Sequence, residues 1–152
     1  MTRLYYWLHA ETQYGLHSPF LFEMYRRVLF ARLTGEECRR HGIRPGDRYG
    51  ELIWKCRDYY QLEAAEEAPQ ATAGTTLLVQ QVQQKSSLAI NGQPDSGQFS
   101  ILIVDHPHGS EAAERGWERM KGDPSFHVSI DLYDVALLIR NARLSPQHLL
   151  LR

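Results

Sequence analysis

The chain has 152 residues, the length of one ordinary domain, and 43% of them are hydrophobic and 23% charged. Its 17 Lys and Arg against 18 Asp and Glu leave a formal net charge of -1, so no overall field directs it to nucleic acid or to an anionic membrane. Charges interrupt the opening segment, and no apolar run reaches the ~18 residues of a spanning helix, so we expect neither export nor membrane insertion. The two cysteines form no Cys-x-x-Cys pair, which favours a reducing cytoplasm over a zinc site or a disulfide framework.

Helical periodicity predicts three helices in the first 67 residues. The first covers residues 2–14, and its aromatic side chains are expected to pack on the domain or on a second copy of the protein. The second begins at Pro19, after the cap residue Ser18, and extends to about residue 33. A glycine-rich loop follows, in which Thr34 caps one short helical turn, and the third helix is predicted over residues 49–67.

The second half of the chain predicts strands around one further helix. Residues 77–84 fit either a strand or a short helix, whereas the β-branched run 101–104 is typical of a strand buried on both faces of a parallel sheet. A helix over residues 110–121 should bury Trp117 against the sheet. Alternation then predicts strands near residues 126–131, 135–139 and 148–151. We predict a single domain, residues 1–152, with a helical region over residues 1–67, a linker at about 68–75 and an α/β region over residues 76–152.

Several segments resemble those of one protein family in the same order. The motif GLHSPFLF at residues 15–22 follows an aromatic helix, and IVDHPHGS at residues 103–110 precedes a helix, the segment SIDLYDVA at 129–136 and finally Gln147-His148. These segments are similar to the N-terminal motif and the closing segments of a family of bacterial class I S-adenosylmethionine-dependent methyltransferases. The resemblance covers about residues 1–62 and 99–152. It implies an α/β, Rossmann-like fold in which N-terminal helices pack on a small mixed sheet with an antiparallel C-terminal edge.

The cofactor-binding region of that family has no counterpart here. Class I methyltransferases carry a Gly-rich turn after the first strand and a carboxylate after the second. This chain contains no Gly-x-Gly, and the interval between Tyr60 and Phe99 is too short for three strand–helix units when one strand–helix–strand unit takes ~30 residues. We therefore predict a truncated fold with no bound cofactor. S-adenosylmethionine is expected only if the family's activity is retained.

Asp105, His106 and His108 form the one local group with the character of a site. They follow a buried strand at the edge where open sheets bind ligands. The family's Asp-Asp-Ile-His-Trp-Ser is similar to the segment 105–110, in which the first Asp, the His and the Ser remain. Asp105 and His108 are therefore the candidate catalytic residues. With His106 they are also the candidate metal group, but Pro107 opposes convergence on one ion and no metal is expected. The alternative is that Asp105 only caps the following helix.

Two other patterns have a structural explanation. His17-Ser18 is interpreted as a helix-entry cap, because adjacent residues in a turn point in different directions. Seven arginines with interleaved aromatic residues in the segment 26–48 could bind RNA, but acidic residues within the segment favour a solvated helical face.

The sequence thus predicts a truncated or degenerate methyltransferase-like protein that acts without catalysis, through association with a protein partner or a second subunit. A half-sized sheet should leave Val79, Ile101 and Ile103 open to that partner. The alternative is an active S-adenosylmethionine-dependent methyltransferase, completed by another chain or by an unrecognised loop in residues 72–98. A weaker alternative is an RNA-associated module that uses the segment 26–48.

Overall fold

The structure, a computed structural model, describes residues 2–12, 15–64, 75–80 and 99–152. The helices in these ranges are α1 (Arg3–His9), α2 (Pro19–Met24), α3 (Gly35–Arg40), α4 (Arg48–Tyr60) and α5 (Glu111–Lys121). A π-helical turn, Tyr25–Leu29, continues α2. The strands are β1 (Leu62–Ala64), β2 (Thr75–Gln80), β3 (Ser100–Asp105), β4 (Val128–Asp131), β5 (Val135–Arg140) and β6 (Gln147–Leu150). None of the described helices combines the length and the apolar character that crossing a bilayer demands.

The six strands form one mixed sheet in the order β1-β2-β3-β5-β4-β6. Neighbouring strands are antiparallel from β1 as far as β4, and β6 alone pairs in parallel, with β4. Because β5 is antiparallel to both β3 and β4, those two strands run in the same direction with β5 between them. The α/β class predicted from the sequence is confirmed.

Helices cover both faces of the sheet. On one face the apolar side chains of β3, β4 and β5 pack with α2, the π-helical turn and α4. On the other face, α5 packs Trp117 against Leu102, Val104 and Leu138, and Trp117 is completely buried. Burial of Trp117 is therefore confirmed.

The predicted open sheet is wrong at its central strand. Ile101 and Ile103 are both 0% exposed, because the chain's own N-terminal helices cover them. Val79 is half-buried. The exposed large apolar side chains of the described residues lie instead on α1 and α4: Leu4, Tyr5, Trp7, Leu8 and Tyr59. Within the chain, the His9 ring stacks on Tyr5 and the Arg152 guanidinium lies over the Trp7 ring.

The N-terminal helix is shorter than the predicted 2–14. It ends when Ala10 turns to extended backbone, because the next residue pairs with the far end of the chain. The Glu11 amide donates to the carbonyl of Leu150 at 2.7 Å, and the Arg152 amide donates to the carbonyl of Glu11 at 3.0 Å. The hydrogen bonds of Glu11 to the C-terminal segment thus replace those that would continue the helix. Residues 13 and 14 lie outside the described ranges of the chain.

The second helix begins as predicted and ends early. Ser18 accepts a hydrogen bond from the Leu21 amide and Pro19 occupies the first turn. The helix changes to the π-helical turn and stops at Phe30, short of residue 33. Side chains of α4 bind the backbone on both sides of Phe30: Arg48 donates to the carbonyl of Leu29, and Lys55 donates to that of Ala31 at 2.6 Å.

The third helix also ends before its predicted boundary. Gln61 adopts a left-handed backbone with φ of 53° and terminates α4, so that Leu62 enters β1 with its side chain 3% exposed. Residues 65–67 and the predicted linker residues 68–74 are outside the described ranges. Thr75, predicted at the end of the linker, begins β2. Of the segment 77–84, which by its sequence fits either a strand or a helix, residues 77–80 belong to strand β2, and residues 81–84 lie outside the described ranges.

Two predictions about strand direction are corrected. β3 is buried as expected, but both of its neighbours, β2 and β5, are antiparallel to it. The C-terminal edge strand β6 is parallel to its neighbour β4, and the antiparallel strand β5 lies inside the sheet. The tight turn at Leu132-Tyr133-Asp134 causes this arrangement, since it folds β5 straight back between β3 and β4.

Candidate functional site

The candidate site lies where β3 and β4 end and α5 begins. β3 ends at Asp105, and His106 takes a left-handed backbone with φ of 45°. Its amide donates to the carbonyl of Asp134 at 2.9 Å, which joins the β3–α5 loop to the turn after β4. In that turn Tyr133 is also left-handed, with φ of 71°. Two non-glycine residues with this uncommon backbone therefore meet at one end of the sheet.

Asp105 and His106 form an exposed pair. The His106 Nδ1 atom lies 2.7 Å from Asp105 Oδ1, and the His106 side chain is 70% exposed. A solvent-exposed contact of this kind contributes little to stability. Asp105 does not cap α5, because Ser110 performs that role by accepting a hydrogen bond from the Ala113 amide at 3.1 Å. The capping interpretation of Asp105 is therefore wrong.

His108 points into the protein and pairs with Asp131 on β4. Its side chain is 3% exposed, and its Nε2 atom lies 2.7 Å from Asp131 Oδ2, on β4. A carboxylate only accepts hydrogen bonds, so Nε2 carries the proton and donates it. The His108 ring also stacks on Tyr133, with the ring centres 5.4 Å apart.

The Asp131 carboxylate is enclosed by donors. Besides His108, the Trp117 indole donates to Oδ2 at 3.2 Å and the Tyr133 amide donates to Oδ1 at 2.8 Å. Three donors offset the cost of burying a carboxylate that is 4% exposed. The result is a network that joins β4, α5 and the loop after β3.

The second imidazole nitrogen of His108 is closed off from solvent. Nδ1 is buried without a hydrogen-bond partner among the described residues, and Glu114 Oε1 lies 3.5 Å away, in ion-pair range only. A general base needs its accepting nitrogen within hydrogen-bond reach of a substrate proton. In this conformation, Nδ1 is buried and lies toward Glu114 of α5.

The three residues of the candidate metal group do not converge. His106 is bound to Asp105, whereas His108 is bound to Asp131, so the two imidazoles belong to different carboxylates. Across residues 2–12, 15–64, 75–80 and 99–152, no group of three or more His, Cys, Asp and Glu side chains could hold a metal ion.

The sequence did not single out Asp131, which organises the site. One signal could have found it: Asp131 ends an alternating strand on the same face as Ser129, so it faces α5 and Trp117. A carboxylate directed at a buried tryptophan requires donors. His108 and Tyr133 supply them, but they lie in two loops whose approach depends on the sheet order.

Helix α1 packs beside this network through its inner face. The Tyr6 hydroxyl donates to the carbonyl of Leu151, and its ring lies 5.3 Å from that of Tyr133. Burial raises the pKa of the Tyr6 phenol well above its usual range, and the negative charge of Asp131 raises it further. Tyr6 therefore remains a neutral donor at physiological pH.

The outer face of α1 is apolar and exposed. Leu4, Tyr5, Trp7 and Leu8 are 52–69% exposed, while Tyr6 and Ala10 on the inner face are each 7% exposed. At 100° per residue the four exposed side chains cover about 160° of the helix circumference. An amphipathic helix ordinarily turns such a face inward. Here the apolar face points away from the protein.

Comparison of the chain with protein-family models, with curated proteins and with solved structures gave no match.

Proposed function

We propose that this protein is a degenerate methyltransferase-like protein that acts without catalysis, by associating with a second copy of itself. The observation that carries the proposal is the exposed apolar face of α1, formed by Leu4, Tyr5, Trp7 and Leu8. Large apolar patches on a protein surface mark interaction sites.

The order of the closing strands supports the methyltransferase-like character in this proposal. In the family that the sequence resembles, the last strand is antiparallel. Here the antiparallel strand is β5, the last but one, which lies between β3 and β4, whereas the last strand, β6, is parallel to β4. The segments that carry the resemblance, residues 103–110 and 129–136, form the ends of β3 and β4 and the turn into β5. The insertion of one antiparallel strand next to these segments is the feature that supports the proposal.

The antiparallel direction of β2 next to β3 supports the part of the proposal that assigns no cofactor to this protein. Open α/β sheets bind ligands in a crevice outside the carboxyl ends of parallel strands. β2 is antiparallel to β3, so its first residue, Thr75, lies opposite Val104 at the carboxyl end of β3. No two adjacent strands on this side of β3 bring their carboxyl ends together within the described residues. Of the two candidate catalytic residues, His108 is buried against Asp131 and lies apart from the more exposed Asp105.

Size and charge favour a second copy as the occupant of the α1 face. The exposed portions of two leucines, a tyrosine and a tryptophan amount to about 400 Å². A symmetric pair would then bury about 800 Å², the size of a weak and reversible interface. A twofold axis needs only one self-complementary patch, and a net charge of -1 opposes pairing little.

Intermolecular disulfide formation tests this pairing. Single Leu4→Cys and Leu8→Cys variants place a thiol on the α1 face, and the two native cysteines are buried. We expect at least one variant to form a cross-linked dimer under mild oxidation, because a symmetric pair brings equivalent positions close to the axis. Glu36→Cys on α3, whose native side chain is 75% exposed, is the matched control. Equal cross-linking in all three variants would contradict the proposal.

A further inference from the structure

A cavity of about 200 Å³ lies between the segment that enters α3 and the start of α4. Its charged lining consists of Arg32, Arg44, Asp47, Arg48 and Glu51. From the sequence, these arginines are predicted to belong to a solvated helical face. In the structure, the three of them border one cavity.

Both carboxylates in the lining are already engaged. Asp47 caps α4, with Oδ1 accepting a hydrogen bond from the Gly50 amide at 2.9 Å. Glu51 accepts from the Leu33 amide at 2.8 Å through Oε1, and its Oε2 lies 3.5 Å from Arg48 Nη1. These bonds hold the acidic groups to the walls of the cavity.

The three arginines of the lining outnumber these two carboxylates. Arg48 is bound to the carbonyl of Leu29 and to Glu51, but Arg32 and Arg44 are exposed and have no ion pair with any carboxylate in the described ranges. Burial lowers the pKa of the nearby Lys55 to about 8; Glu51 opposes the shift, and Arg48 and Arg32 reinforce it. Glu51 thus forms an ion pair with Arg48 alone, and Arg32 and Arg44 border the cavity without a carboxylate partner in the described ranges.

We propose that this cavity binds a small oxyanion, a phosphate or carboxylate group, between the guanidinium groups of Arg32 and Arg44. A guanidinium presents paired N–H donors that match the two oxygens of such a group. At about 200 Å³ the cavity is smaller than the ~300 Å³ lower bound of drug-sized pockets. The ligand is therefore a small molecule or a free ion rather than a nucleotide.

Titration with inorganic phosphate, followed by calorimetry at constant ionic strength, tests the site. We expect saturable binding that weakens about tenfold in Arg32→Gln and in Arg44→Gln, because each variant removes a charge-assisted donor pair. Arg39→Gln is the matched control: it removes the same charge from α3, outside the cavity lining, and should leave the affinity unchanged. Malonate in place of phosphate measures the preference between the two oxyanion classes.

Three results would overturn the proposal. The first is no saturable phosphate or malonate binding beyond that of chloride at equal ionic strength. The second is an equal loss in all three variants, which would indicate unspecific attraction to the arginine-rich segment. The third is tighter binding of a single-stranded RNA oligonucleotide, weakened equally by Arg39→Gln, which would make the segment an extended nucleic-acid surface. Circular dichroism of each variant shows whether its fold is retained.

Discussion

His108 and Asp131 form a buried pair, with His108 Nε2 2.7 Å from Asp131 Oδ2 and both side chains less than 5% exposed. The pair joins the loop after β3 to the end of β4, across 23 positions of sequence. Because both side chains are enclosed, we predict that the histidine stabilises the fold. His106, two positions earlier, is exposed, so its substitution is a control for the substitution of the buried His108.

His108→Ala should therefore destabilise the fold by about 3 kcal/mol, since it opens a cavity and removes one donor from a buried carboxylate. His106→Ala should change the free energy of unfolding by no more than about 0.5 kcal/mol, because its pair with Asp105 is exposed. Urea denaturation of the two variants measures the difference. Equal effects would contradict the assignment of His108 to the interior.

Trp117 contributes both volume and a hydrogen bond. Trp117→Ala should cost about 3–5 kcal/mol and unfold a large fraction of the protein, because a domain of this size has little stability in excess. Trp117→Phe retains most of the apolar contact with β3 but loses the indole donor to Asp131, which should cost about 1 kcal/mol more than the packing change alone. Thermal unfolding of Trp117→Phe in the Asp131→Asn background separates the loss of the indole hydrogen bond from the change in packing. The indole bond is refuted if the double variant shows no coupling.

The beginnings of the helices could be predicted from the sequence because their signals are local. Ser18, Thr34 and Ser110 each cap a helix within three residues of their own position. The ends of the helices could not be predicted, because the groups that stop the helices are distant in sequence. The carbonyl of Leu150 accepts a hydrogen bond from the Glu11 amide, and Lys55 donates one to the carbonyl of Ala31. Hydrophobic periodicity does not register these contacts.

The candidate site shows the same division. Burial of Trp117 follows from the spacing of one helix, and it is confirmed. Closeness in sequence groups Asp105 and His108 as one candidate site, whereas the chain turns between them and His108 points inward to Asp131. The antiparallel insertion of β5 brings that partner into reach, and this insertion depends on the order of the whole sheet.

The lowered pKa of Lys55 predicts that the free energy of unfolding rises with pH. Its pKa is lowered to about 8 in the folded protein, chiefly by burial, against 10.5 for an ordinary lysine. Between these values the unfolded chain binds the proton and the folded chain does not, so the free energy of unfolding increases with pH by up to about 1.4 kcal/mol per unit.

Comparison with Lys55→Met isolates this contribution, because burial also raises the pKa of the Cys56 thiol to about 12 and that group opposes the gain above pH 9. The stability of the wild type relative to Lys55→Met should rise from about pH 8 to about pH 10. A constant difference across that range would show that Lys55 keeps an ordinary pKa when folded.

S-adenosylmethionine should not bind at physiological concentration. The chain has no Gly-x-Gly turn, and β2 is antiparallel to β3 on the side where a class I methyltransferase has a parallel neighbour. Isothermal titration should give only the heat of dilution. Saturable binding with a dissociation constant in the low micromolar range, about 8 kcal/mol, would favour the active-enzyme alternative.

Self-association through α1 is the central claim, and sedimentation equilibrium over a wide range of protein concentration tests it most directly. We predict a reversible conversion of the 17.6 kDa monomer into a dimer, which Leu4→Ser combined with Leu8→Ser abolishes while the monomer stays folded. A matched double change of exposed polar residues, Glu36→Ser with Arg40→Ser on α3, should leave the dimer intact. A monomer at every concentration, or a dimer that the α1 variant leaves unchanged, would contradict self-association through this face.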